Sequence, residues 1–156
     1  MPEDLAVNVG TPNGPLASAS SSISPQAIRQ ANDGRLWFFP ENANGWSPSP
    51  EQTESESWWA VRLPRPRTVS SVELYFFGDD SHFLAPRSYR LQYRVEDDWR
   101  DVPNQRKSPD RILANAENRI DFPAIATDGL RLVLPASPTG TSVRLIEFEA
   151  FEKPRP

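Results

Sequence analysis

Seventeen prolines are spread along 156 residues, and this feature limits the possible folds most. Proline has no backbone N–H and clashes with the preceding turn, so prolines at this spacing exclude long helices. Seven glycines act in the same direction. What remains is a chain of short strands separated by turns.

Period-two alternation marks those strands. In 69–77, Val72, Leu74 and Phe76 share one face, and Glu73, Tyr75 and Phe77 share the other. In 88–95, Tyr89, Leu91, Tyr93 and Val95 alternate with polar residues, as in a half-buried strand. In 58–63, Trp59, Val61 and Leu63 point one way. Ile120 and Phe122 mark a strand at 118–122, and Leu130, Leu132 and Leu134 mark one at 130–134. Residues 97–102 add a short strand around Trp99. The final run, 143–151, slips phase: Val143 and Leu145 start a face that Ile146, Phe148 and Ala150 continue. A one-residue slip predicts a β-bulge near Leu145. The single helical candidate lies in 24–33, one or two turns at most, with Ser24 as cap and Pro25 at the first helical position. Seven or eight short strands with Pro, Gly and Asp turns predict an all-β sandwich.

The length suits one domain. No cysteine is present, so neither a disulfide nor a thiol contributes. A net charge of −4 argues against nucleic acid as a partner. No apolar run approaches the ~20 residues of a membrane span. The N-terminus lacks the form of a signal peptide. The chain is then either cytoplasmic or a piece of a longer secreted protein, and the ending FEKPRP, which reads as the start of a Pro-rich linker, favours the second. The expected boundaries are one domain over 1–152 and a linker or tail over 153–156.

The stretch NDGRLWFFPENANGW, residues 32–46, puts four large aromatic rings among residues that strands avoid. Part of this loop is expected to pack inward, and part to face a ligand.

The ordered motifs SPQAIRQANDGR, Trp46, ESWWAVRLPRPRTVSSVELYFF, APRSYRLQYR, DDWRDVPNQ, LRLVLP and SVRLIEFEAFE resemble the discoidin, or coagulation-factor type C, domains. They look most like the bacterial modules classed with the family thirty-two carbohydrate-binding modules. The resemblance covers about residues 4–152. It implies an eight-stranded jelly-roll β-sandwich of the galactose-binding-domain-like kind. It also implies a non-catalytic, secreted or cell-surface module attached to a bacterial glycoside hydrolase, with carbohydrate, often galactose-like, and the parent catalytic domain as partners. Two features depart from the family pattern. The chain reads VRLP at 61–64 where relatives often read VDLG, and it lacks the disulfide usual in eukaryotic relatives.

The resemblance further implies a structural calcium held by Asp33 of the DG loop and Glu147 of the last strand. Calcium takes six to eight oxygens, many of them carbonyls, which an Asn/Asp/Gly segment supplies. The alternative is an Asx turn at Asp33 and a solvated Glu147. For a sugar, an aromatic ring suits the C–H patch and planar polar groups suit the hydroxyls. The loops 35–46 and 78–87 carry both kinds, and in the family they lie at one end of the sandwich. The candidate ligand residues are Trp37, Phe38, Asn42, Asp79, His82, Phe83 and Arg87, each weighed against a plain surface or core role. Trp46 and Trp59 are assigned to the core, and the loop 135–142 to a third wall without ring or charge. Three other readings remain open at this point: a protein-docking domain using the outward faces of Tyr75, Phe77 or Trp58, an enzyme, and a phospholipid binder. The last two lack, respectively, a positioned carboxylate pair and a basic rim.

Overall fold

The structure is a computed structural model in which residues 2–36, 38 and 44–156 are described. Seven strands and one helical turn occur among these residues: β1 Leu16–Ala19, α1 Ala27–Gln30, β2 Glu56–Phe77, β3 Arg90–Val95, β4 Asp98–Asp101, β5 Arg106–Ser108, β6 Glu117–Pro135 and β7 Arg144–Phe151. The two strands expected at 58–63 and 69–77 are halves of β2, and those expected at 118–122 and 130–134 are halves of β6. The family's eight-stranded sandwich is thus built from seven continuous strands, two of them long enough to serve both layers.

The reason lies in Pro64-Arg65-Pro66. Two residues without a backbone N–H break the β2–β6 ladder, which stops at Arg62–Gly129 and resumes at Arg67–Thr127. Before the break, β2 pairs with β1 and with the C-terminal half of β6, which carries β3 and then β4. Beyond it, β2 pairs with β7 and with the N-terminal half of β6, which carries β5. All these pairings are antiparallel.

The alternating apolar residues meet between the layers. Trp59, Leu132 and Leu91 come from one, and Leu74, Ile120 and Phe148 from the other, all fully buried. Trp59 and Phe148 touch across the gap with ring centroids 5.2 Å apart. Full burial of each such side chain is worth about 1.5–3 kcal/mol. Trp46 also lies in this core, as expected, and its indole Nε1 donates to Ser21 O at 2.9 Å.

Two local expectations need correction, the strand start at Ser88 and the inward placing of Ile146. The helix is the single turn Ala27–Gln30, within the one or two turns expected, and Ser24 Oγ accepts from Ala27 N at 3.3 Å. The strand expected from Ser88 starts at Arg90. The bulge lies where the phase slip places it, near Leu145: Tyr75 pairs with Glu147 and Phe76 with Leu145, leaving Ile146 as the extra residue. Ile146 therefore turns away from the main core and packs with Tyr75 and Phe77 in a second cluster.

Candidate functional site

Because β2 bends, both of its ends reach the same end of the sandwich. Phe77 pairs there with Arg144, and Glu56 with Pro135. The loops that follow are stitched together by backbone bonds. Ser142 N donates to His82 O at 2.8 Å, Leu84 N to Ser142 O at 3.1 Å, and Ala136 N to Ser55 O at 2.9 Å.

Asp79 organises the loop 78–87. Its Oδ1 accepts from the N–H groups of Ser81, His82 and Phe83 at 3.0, 2.9 and 2.9 Å. These bonds hold its carboxyl below the usual carboxylate range. Asp79 thus shapes the turn, which is the structural one of its two expected readings. The turn delivers His82 and Phe83 side by side, with ring centroids 4.6 Å apart. Phe83 meets Phe77 edge-on at 5.7 Å, and the Arg144 guanidinium lies 4.2 Å from the Phe83 centroid and 5.2 Å from that of Phe77. Phe38 packs against the same cluster.

His82 is exposed, and its Nδ1 lies 3.1 Å from Gly140 O. A carbonyl oxygen only accepts, so Nδ1 carries the proton in this contact. In the neutral ring Nε2 is then a free acceptor. His82 and Phe83 line a cavity of about 260 Å³ with Glu54, Thr141 and Ser142. Arg87 is exposed. It shares a larger groove with Phe83 and Arg111, but no cavity with His82. Of the expected ligand residues, then, Phe38, Asp79, His82 and Phe83 come together and Arg87 stands apart. Trp37 and Asn42 lie outside the described residues. Sequence reasoning missed Arg144 and Glu54. The signal for Arg144 is a cation at the first position of the last strand, but its ring partners follow only from the β2–β7 register. The loop 135–142 brings neither ring nor charge, yet it supplies the carbonyl that orients His82.

At the Asp33–Glu147 junction, the loop 31–34 lies along β7. Phe148 N donates to Ala31 O at 2.7 Å, and Gly34 N to Glu147 Oε2 at 2.7 Å. Asp33 Oδ1 accepts from Arg35 N at 3.1 Å in an Asx turn. Glu147 points away from the main core but is fully buried rather than solvated, because this loop covers it. Burial, with the negative charges of Asp33, Asp4 and Glu149, pushes its carboxyl up to about 9. Glu147 Oε1 and Asn32 Oδ1 are both buried without a hydrogen-bond partner. Among the described residues there is no cluster of three or more Asp, Glu, His or Cys side chains arranged for a metal. Calcium needs no such cluster, since carbonyl oxygens complete its shell. Two orphaned buried oxygens and a raised carboxylate in one junction fit a hard cation.

The family model described as F5/8 type C domain matches residues 17–148. A structure of the Streptococcus pneumoniae β-galactosidase BgaA superposes with a TM-score of 0.86 at 20% identity, covering 98% of this chain and 100% of that one. The family 32 carbohydrate-binding module of Clostridium perfringens NanJ, solved in complex with galactose, gives 0.66 at 17% identity, covering 88% and 93%. Chitosan-binding module 2 of the Paenibacillus sp. IK-5 chitosanase/glucanase, in complex with chitotriose, gives 0.68 at 20% identity, covering 95% and 99%. No curated protein matches the sequence.

Proposed function

Because the chain belongs to the F5/8 type C domain family, we propose that it is a non-catalytic carbohydrate-binding module whose site is the loop end around His82 and Phe83. The observation that carries this reading is the preset His82 ring beside the 260 Å³ cavity. That volume lies just under the roughly 300 Å³ of the smallest drug-sized pockets, which suits a single sugar residue. His82 Nε2 accepts from a sugar hydroxyl, Glu54 accepts from a second, and the exposed part of the Phe83 ring meets the C–H patch. Arg144 holds Phe83 in place through the cation–π contact. One ring and few hydrogen bonds give weak binding, on the order of 0.1–1 mM.

We further assign Asp33, Asn32 and Glu147 to a structural calcium site. Calcium there supplies positive charge that keeps Glu147 ionised, and it pins the loop leading to Phe38. The reading extends to a secreted or cell-surface bacterial protein in which the module holds an attached glycoside hydrolase on its glycan, raising the local substrate concentration. Among the described residues no helix is long and apolar enough to cross a membrane. The docking alternative has less support, because Tyr75 and Phe77 are 7% and 3% exposed and present no open patch.

Titration calorimetry with galactose, GalNAc-β-1,3-galactose and chitotriose in calcium tests the proposal. At least one sugar should bind, with His82→Ala and Glu54→Gln each weakening it about tenfold or more, near 1.4 kcal/mol. Unchanged affinity in both variants would remove the site from this cavity.

A further inference from the structure

Glu73 lies in the middle of β2 and is fully buried, yet its carboxyl is held below the usual range. Burial opposes ionisation, but hydrogen bonds from Arg155 and Tyr75 and the Arg155 charge outweigh it. Arg155 comes from 153–156, the segment expected to be the start of a linker or tail. Its Nε donates to Glu73 Oε2 at 2.8 Å and its Nη2 to Glu73 Oε1, a two-pronged fork. Nη2 also lies 3.3 Å from Tyr75 Oη, 3.8 Å from Glu149 and 3.9 Å from Glu117. The guanidinium stands over the Phe151 ring at 4.9 Å. The segment is clipped twice more: Ser70 Oγ donates to Glu152 O at 2.6 Å, and Arg119 Nη2 donates to Arg155 O.

A planar cation with bidentate pairing, further carboxylates around it and a ring beneath it is a guanidinium site rather than a chance surface pair. We infer that Glu73, Glu117, Glu149, Tyr75 and Phe151 form a guanidinium-binding pocket, that Arg155 is its resident ligand, and that this contact makes residues 153–156 a folded strap of the domain. The strap supplies the nearest counter-charge for a carboxylate buried in the sheet, where Arg119 Nη2 stands farther off, 3.9 Å from Glu73 Oε2. This role does not depend on the sugar-binding reading.

Thermal unfolding of Arg155→Ala, Glu73→Gln and the double variant tests the pocket, with methylguanidinium as the probe and methylammonium as the control for ionic strength. Breaking a buried pair from one side is strongly destabilising, so Arg155→Ala should lower Tm by about 5–10 °C. The double variant should lose less than Arg155→Ala alone, because no buried charge remains. Millimolar methylguanidinium should restore part of the lost Tm in Arg155→Ala and none in the double variant. If Arg155→Ala does not fold, the Glu73→Gln protein still decides. Backbone order at Lys153 and Arg155 should be close to the rigid value of about 0.85 in the wild type and below about 0.6 in Glu73→Gln. A Tm unchanged by Arg155→Ala, additive losses in the double variant, or a disordered 153–156 in the wild type would overturn the inference.

Discussion

The backbone N–H of Gly34 donates to Glu147 Oε2 at 2.7 Å, joining residues 113 positions apart and closing the loop 31–34 onto the last strand. Gly34 has φ +82°, a conformation that suits glycine. The contact uses one Glu147 oxygen and leaves the other buried and unpaired.

A pH dependence follows for the metal-free protein. Glu147 is raised from its ordinary 4.5 to about 9, so between those values the folded state holds a proton that the unfolded state has released. Stability therefore falls as pH rises through this window. In chelator, denaturant unfolding should show a loss of at least about 1 kcal/mol between about pH 5 and pH 8, the worth of one pKa unit. Calcium should flatten this slope and raise Tm at the higher pH. Glu147→Gln should raise metal-free stability at about pH 8 and abolish the calcium effect.

In the proposed sugar site, Arg144 would act through Phe83, whose ring centroid lies 4.2 Å from its guanidinium. Removing a partly buried cation from two rings should cost about 0.5–2 kcal/mol of stability. Arg144→Ala should also weaken sugar binding several-fold, because Phe83 loses the group that holds it. Calorimetry beside thermal unfolding separates the two effects, and Arg144→Lys should recover part of each.

The two adjacent tryptophans of β2 should behave very differently. Trp59 is fully buried, donates Nε1 to Ile28 O at 2.8 Å and touches Phe148. Trp59→Ala should cost about 3–5 kcal/mol. Trp58 is half-buried on the outer face, with the Arg131 guanidinium 5.4 Å from its ring. Trp58→Ala should cost about 1 kcal/mol, mostly the lost cation–π contact. Urea unfolding of both variants measures the contrast.

The sandwich was legible because its signal is local. Alternation located the inward faces of β2, β3, β6 and β7, and the phase slip located the bulge. The bend in β2 was not recognised, although Pro64 and Pro66 stand at it, because two short strands and one bent strand have the same periodicity. Glu73, Tyr75, Phe77 and Glu147 read as outward by phase, and they are. Their burial depends on the loop 31–34, on Phe38 and Phe83, and on the segment around Arg155, all remote in sequence. The same limit applies to the candidate site. Loop composition pointed to His82 and Phe83, whereas Arg144 and the Gly140 carbonyl join them only through strand register and loop stitching.

The most direct test of the sugar-binding account is a glycan-array screen of the calcium-loaded protein, with His82→Ala run in parallel. The account predicts a specific signal for the wild type that is lost in His82→Ala while its circular dichroism and Tm stay unchanged. A blank array for a folded, calcium-loaded wild type would contradict it.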